Sequence, residues 1–150
     1  MSHKTLVIGS VLIFLLDRFL KLYAQHLPPG KVFAFLPGLQ LGYFSNPALF
    51  FSPAWDWIPW LSLTVLITIL SIVIWGFIEN WKSGIGNLLP QNLFPILLGG
   101  ASNTFDRFTY DGVIDYALLF NRATVNLADW LILGGLLILL IRPPRRQPPN

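Results

Sequence analysis

Cysteine is absent from this 150-residue chain, and charged residues make up only 11% of it. Without cysteine there is no disulfide framework, no thiolate nucleophile and no thiolate metal site. Histidine is scarce as well, with only His3 and His26, and no His-Glu-x-x-His zinc motif or Gly-x-Ser-x-Gly nucleophile elbow occurs. The groups that serine proteases and metalloproteases require are therefore missing, and nothing indicates a metal or an organic cofactor.

Apolar residues are abundant instead, since 54% of the chain is hydrophobic. This composition is too apolar for an ordinary soluble domain and is typical of a small multi-pass membrane protein. The formal net charge of +3 does not indicate a nucleic-acid partner, because the basic residues are scattered and Arg142, Arg145 and Arg146 directly follow an apolar run. We expect membrane lipids around the chain and no nucleic acid bound to it.

Four apolar segments are candidates for membrane spans, which need about 20 residues each. They predict transmembrane helices at about 5–23, 57–78, 88–105 and 123–141. The connection between the first two is rich in proline, glycine and aromatic residues, and its alternation at Leu39-Gln40-Leu41 indicates short interfacial strands.

The predicted fold is an all-α membrane protein. Its four transmembrane helices carry a small extracytoplasmic segment, β-containing or amphipathic, between helices 1 and 2. Residues 1–142 form one integral-membrane domain in this prediction, and residues 143–150 form a disordered cytoplasmic tail because they are polar and rich in proline. We expect a monomer.

Basic residues outside the predicted spans are distributed unevenly. The side shared by the two termini and the middle loop carries Lys4, Lys82, Arg142, Arg145 and Arg146, whereas the other side carries Lys31 and Arg122. The positive-inside rule then places both termini in the cytoplasm. The loop from Asp111 to Arg122 consequently lies near the outer face of the membrane.

Two aspartates at this outer face need an explanation, because an ionisable group at the edge of a hydrocarbon span is costly and is read as functional by default. Asp115 and Asp129 have no basic residue at a helical i,i+3 or i,i+4 position. If the chain folds back between them, they can share one proton, and one carboxyl can act as base while the other acts as acid. The simpler alternative is a pair of unrelated polar residues at the two ends of an outer loop.

Other charged residues favour structural roles. Asp17 and Lys21 are four residues apart and share one face of the first helix, and Asp106 with Arg107 can hold the outer end of the third. Buried charges are normally paired, so we interpret both sets as support for the site or as substrate contacts.

Three blocks of sequence resemble the signature of bacterial lipoprotein signal peptidase, the signal peptidase II family. They are Leu98-Gly-Gly-Ala-Ser-Asn103-Thr-Phe-Asp106-Arg107, Gly112-Val-Ile-Asp115-Tyr and Val125-Asn126-Leu-Ala-Asp129, and Asp17-Arg18-x-x-Lys21 is similar to the family's first-helix motif. The resemblance covers nearly the whole chain.

The resemblance implies an aspartic membrane endopeptidase that removes signal peptides from prolipoproteins. The cut lies on the N-terminal side of a cysteine that already carries a diacylglyceryl group. The family's catalytic aspartates match Asp115 and Asp129. Positions that line or support the site match Asp17, Lys21, Asn46, Asn103, Asp106, Arg107 and Asn126.

The chain departs from the family at three places. The outer-loop block Asn-x-Gly-x-Ala-Phe reads Asn46-Pro-Ala-Leu-Phe-Phe51, Gly-Asn has become Ser102-Asn103, and the stretch between Asp115 and Asp129 is short. We interpret the chain as a divergent member with altered substrate choice. A non-cleaving paralogue that binds lipoprotein precursors, or a small proton-coupled transporter, are the alternative functions.

Overall fold

Four helices and four strands make up the described part of the chain, and several of its charged side chains are buried. The computed structural model describes residues 3–28, 30–47, 57–83 and 93–141. Its elements are α1 His3–Ala24, β1 Val32–Leu36, β2 Leu39–Asn46, α2 Ile58–Ser83, α3 Phe94–Tyr110, β3 Val113–Leu119, β4 Ala123–Val125 and α4 Leu127–Ile141. The altered positions 48–51, the predicted start of the third span at 88–92 and the tail at 143–150 lie outside these residues.

A four-stranded antiparallel sheet shows that the all-α prediction was wrong. Its order is β1-β2-β3-β4. The predicted strands β1 and β2 form a first hairpin, and β2 pairs with β3 of a second hairpin formed by β3 and β4. The run Val113–Leu119 reads Val-Ile-Asp-Tyr-Ala-Leu-Leu, in which apolar and polar residues do not alternate clearly. It becomes a strand because it pairs with β2, which is about 70 residues away in sequence, as in the pair Phe44 and Asp115.

Tight turns set the register of both hairpins. Pro37 and Gly38 connect β1 to β2, and Gly38 has a φ of +78°, which suits the third position of a type II turn. Phe120 and Asn121 both have positive φ between β3 and β4, and the amide of Arg122 donates to the carbonyl of Leu119 at 2.9 Å. The chain therefore reverses within three residues, and α4 begins at Leu127 rather than at 123.

Helix α3 packs against α1, α2 and α4. Its approach to α4 depends on two glycines. A Cβ added at Gly99 would lie 2.4 Å from the carbonyl oxygen of Ala128, and one added at Gly135 would lie 2.6 Å from the side chain of Ile96. Because glycine has no Cβ, the two backbones can approach closely, as small residues allow between membrane helices.

The distribution of polarity is inverted relative to a water-soluble protein. Buried residues include Asp17, Lys21, Asp106 and Asp115, whereas many large apolar side chains on all four helices are exposed. Within the described residues, one helix is long and apolar enough to cross a membrane, with Ile58–Trp75 as its most apolar window. An apolar surface around a polar interior is stable where lipid, not water, contacts that surface.

Candidate active site

Asp115 lies on β3 with both carboxylate oxygens engaged by side-chain donors. The side-chain amide of Asn126 donates to Oδ1 at 2.7 Å, and the hydroxyl of Thr124 donates to Oδ2 at 2.8 Å. The amide of Asn46 makes a longer contact of 3.5 Å with the same Oδ2. Asp115 is buried, and its donors come from β2, from β4 and from the residue that precedes α4. The sheet therefore holds the carboxyl in one orientation.

Asp129 lies in the first turn of α4 and takes part in a reciprocal capping arrangement. The side-chain oxygen of Asn126 accepts a hydrogen bond from the backbone amide of Asp129 at 3.0 Å. The Asp129 carboxylate accepts one from the backbone amide of Asn126 at 3.2 Å. This is the geometry of a capping box, with aspartate in place of the usual glutamate. The other carboxylate oxygen of Asp129 accepts a hydrogen bond from the side-chain amide of Asn103 at 2.9 Å.

Asn126 therefore connects the two aspartates. Its side-chain nitrogen donates to Asp115, its side-chain oxygen caps α4, and its backbone amide donates to Asp129. The carboxyls of Asp115 and Asp129 thus share Asn126 as a hydrogen-bond partner. In the described part of the chain, neither carboxyl forms an ion pair with a basic residue.

The remaining amides at the start of α4 are also satisfied by side chains. The amide of Leu127 donates to the hydroxyl of Tyr116 at 2.8 Å, and the amide of Ala128 donates to Oδ1 of Asp17 at 3.1 Å. The Tyr116 hydroxyl in turn donates to the same Oδ1 at 3.1 Å. Because the first amides of a helix have no partner within it, these contacts fix where α4 begins.

A buried ionic cluster lies beside the two aspartates, between α1 and α3. Lys21 is fully buried and contacts Asp106 at 2.8 Å and Asp17 at 3.2 Å, which confirms that Asp17 and Lys21 share a helix face. Arg18 pairs with the other oxygen of Asp106 at 2.6 Å. The hydroxyl of Ser102 donates to Asp17 at 2.6 Å and accepts from Lys21 at 3.2 Å.

Asn103 joins this cluster to the acid pair, because it accepts from Lys21 at 2.8 Å and donates to Asp129. The cluster also carries Asp106, whose Oδ2 accepts from the amide of Ile114 at 3.2 Å and so anchors β3. Asp106 therefore pairs across to α1 and not with its sequence neighbour Arg107. Adjacent residues on a helix point about 100° apart, so the two cannot easily face each other.

Arg107 is largely buried, and its Nε has no hydrogen-bond partner within the described ranges. It lies close enough to Asp129, Asp106 and Asp115 to interact with all three electrostatically. Arg107 is thus an electrostatic neighbour of both Asp115 and Asp129, and among the described residues it forms an ion pair with neither.

The surroundings of Asp115 shift its ionisation to higher pH. Burial raises the pKa of its carboxyl above the ordinary value, and the negative charge of Asp129 adds to this effect. Hydrogen bonds from Thr124, Asn126 and Asn46 act in the opposite direction without cancelling it. Burial and the nearby Asp17 carboxylate likewise raise the pKa of Tyr116, so this phenol stays protonated and remains a donor.

All nine site residues predicted from the sequence lie in or beside this network. Sequence reasoning missed Ser102, Tyr116 and Thr124, whose hydroxyls contact carboxylates far away along the chain or across a turn. Ser102 and Tyr116 lie within signature blocks and Thr124 directly precedes one, and this position was their only signal. Across residues 3–28, 30–47, 57–83 and 93–141, no three histidine, aspartate or glutamate side chains form a group that could hold a metal ion.

The fold is shared with bacterial membrane enzymes of known structure. Two solved structures bearing that description, determined by the in meso method at 1.9 and 2.3 Å resolution, each match 92% of this chain with a TM-score of 0.72. The matches cover 91% and 86% of those chains at 21% and 20% identity. The chain therefore has the fold of these membrane enzymes.

The particular family follows from the sequence comparison. Residues 9–143 match the family model described as signal peptidase (SPase) II, and the chain belongs to that family. It is 29% identical over 158 residues to the lipoprotein signal peptidase of Trichormus variabilis, covering 99% of this chain and 95% of that protein. The corresponding enzymes of Gloeobacter violaceus and Bartonella henselae are 33% and 31% identical, covering 93% of this chain and 82% and 88% of their own.

These matches confirm the resemblance read from the signature blocks. The chain is a hydrolase, an aspartic peptidase of the signal peptidase II type, and it is a membrane protein of lipoprotein processing.

Proposed function

We propose that this enzyme cleaves the signal peptide from diacylglyceryl-modified prolipoproteins, on the N-terminal side of the lipidated cysteine, with Asp115 and Asp129 as the catalytic pair. The observation that carries the proposal is the position of Asn126, which contacts both carboxyls from one residue. Two carboxyls that lie close together cannot both ionise easily, so the pair retains one proton.

The charge balance of the buried site supports a single retained proton. The site contains four carboxyls, on Asp17, Asp106, Asp115 and Asp129, and three cations, on Arg18, Lys21 and Arg107. One proton on the acid pair makes this set neutral. A neutral set is favoured because an uncompensated charge in a poorly solvated interior is costly.

Peptide hydrolysis then needs no covalent intermediate. The ionised carboxyl takes a proton from water as the water oxygen bonds to the scissile carbonyl carbon. The protonated carboxyl gives its proton to the amide nitrogen as the carbon–nitrogen bond breaks. The two carboxyls have then exchanged protonation states, and transfer of one proton between them restores the starting form. Asn103, Asn126 and Asn46 hold the carboxyls in place through these steps.

Replacement of either aspartate by asparagine tests this function. Asp115→Asn and Asp129→Asn keep the side-chain shape, so we expect a folded protein whose cleavage of a diacylglyceryl-modified precursor falls by roughly 10²–10⁴-fold or more, the range typical of lost acid–base catalysis. Asp111→Asn is the matched control, because Asp111 is exposed in the turn after α3. Near-normal turnover by either variant would remove that aspartate from the catalytic role. Equal cleavage of a precursor without the lipid would refute the substrate proposal.

The proposal includes a multi-pass orientation in the bacterial plasma membrane, with both termini in the cytoplasm and the acid pair near the outer face. Positive-inside counting supports it, with Lys4 on the inner side and Arg122 on the outer side. Because the chain has no cysteine, single cysteines introduced at these two positions can be labelled from either side of sealed vesicles. Labelling of both positions from the same side would contradict the orientation.

A further inference from the structure

Thr124 occupies the middle of β4 and reaches the carboxyl of Asp115 across the second hairpin. Its hydroxyl donates to Oδ2 at 2.8 Å, which is the only contact to Asp115 from a hydroxyl among the described residues. Strand β4 spans only Ala123–Val125, and its pairing with β3 is fixed by the tight turn at Phe120 and Asn121. The position of Thr124 relative to Asp115 is therefore set by the backbone.

The hydroxyl differs in kind from the other donors to Asp115. Asn126 and Asn46 present amide nitrogens, and an amide nitrogen can donate a hydrogen bond but cannot accept one. A hydroxyl can do both, because its hydrogen rotates about the carbon–oxygen bond. When Asp115 changes from carboxylate to carboxylic acid, Thr124 alone in this set can reverse its role without moving its oxygen.

We propose that Thr124 is a positioning residue that keeps the Asp115 carboxyl in place in both protonation states and so adapts Asp115 to the role of general base. The inference rests on the proposed function. In the resting site the Thr124 hydroxyl donates to the Asp115 carboxylate. After Asp115 has taken a proton from the attacking water, the new O–H group donates to the Thr124 oxygen, and no heavy atom has to shift.

The charged and polar groups around Asp115 define what a loss of this hydroxyl would do. Asp129 faces it from α4 and Arg107 from α3, while Asn46 approaches from β2 and Asn126 from the residue before α4. Asp129 disfavours ionisation of Asp115, whereas the hydrogen bonds favour it. Removal of the Thr124 donor therefore raises the pKa of Asp115 further. A base with a higher pKa is protonated, and inactive, over a wider acidic range.

The test compares Thr124→Val, which replaces the hydroxyl by a methyl group of similar size, with Thr124→Ser, which retains the hydroxyl. Cleavage of a diacylglyceryl-modified precursor is measured against pH. We expect Thr124→Val to lower kcat roughly tenfold or more, the effect of losing a hydrogen bond to a charged group, with KM within about twofold of the wild type. The acidic limb of its profile shifts to higher pH. Thr124→Ser keeps the wild-type profile.

Thr109→Val is the matched control, because Thr109 is exposed and its hydroxyl bonds to the carbonyl of Phe105 in its own helix. A Thr124→Val profile that superimposes on the wild type overturns the inference, as does a Thr124→Ser variant as impaired as Thr124→Val. A shift confined to the alkaline limb also overturns it, because Asp115 would then be the acid. A wild-type enzyme that fails to cleave the lipidated precursor refutes the proposed function instead.

Discussion

Replacement of Asn126 by aspartate separates the two tasks that this residue performs at the site. The side-chain oxygen of Asn126 caps α4, and its side-chain nitrogen donates to Asp115 at 2.7 Å. Aspartate is about as good an N-cap as asparagine, so Asn126→Asp keeps the cap. It replaces the donor by a second oxygen facing the Asp115 carboxyl, and the interaction between them changes from attraction to repulsion.

The expected loss of activity follows from this single contact. A hydrogen bond to a charged group contributes about 1.5–3 kcal/mol, which corresponds to roughly 10- to 150-fold in rate if the whole contribution is made in the transition state. Repulsion between the new carboxyl and Asp115 adds to this loss unless one of them takes up a proton. We therefore expect kcat for a diacylglyceryl-modified precursor to fall at least tenfold in Asn126→Asp.

Stability provides the contrast that isolates the effect. Asn126→Ala loses the cap and about 1 kcal/mol with it. We expect Asn126→Asp to lower the unfolding midpoint further, because the new carboxyl is buried beside Asp115. Asn121→Asp is the matched control, because Asn121 lies in an exposed turn. Its side-chain oxygen accepts a hydrogen bond from Gln40 at 2.7 Å, and aspartate keeps that oxygen. Wild-type turnover by Asn126→Asp would refute the claim that Asn126 couples the two aspartates.

Two further variants test the packing and the ionic cluster. Gly99→Ala places a Cβ 2.4 Å from a backbone oxygen of α4, so we expect it to lower the free energy of unfolding by about 1–3 kcal/mol, whereas Gly134→Ala, with no atom within 4 Å of its Cβ, does not destabilise. Equal unfolding midpoints for the two would contradict the close approach of α3 and α4. Lys21→Met leaves two buried carboxylates short of a cation and should cost about 3–5 kcal/mol, in contrast to Lys31→Met at an exposed position. Thermal unfolding in detergent measures both, and a small effect at Lys21 would show that the cluster relaxes.

The sequence predicted which polar residues lie together better than it predicted the fold that holds them. Spacing within one helix was sufficient for Asp17 and Lys21, because residues four apart share a face. The signature blocks singled out Asp115, Asn126 and Asp129, and hydrogen bonds join these three residues. The alternation around Leu39 also indicated the strands of the first hairpin correctly.

The second hairpin was missed because its stability comes from distant pairing. Strand β3 reads as a short apolar run with one aspartate, and neither local pattern nor turn residues identify β2 as its partner. The same limit explains why Arg18 was not matched with Asp106, 88 residues away, and why Thr124 was overlooked. Contacts that join elements far apart in sequence leave no periodic trace in it.

The first turn of α4 has a consequence for the biosynthesis of the enzyme. Its amides are held by Tyr116 from β3, Asp17 from α1 and Asn126 just before the helix. During synthesis, α1 and β3 are made before α4, so these acceptors are present before the helix whose amides they bind. In the proposed mechanism, the acid pair is complete only once α4 has docked onto these earlier elements.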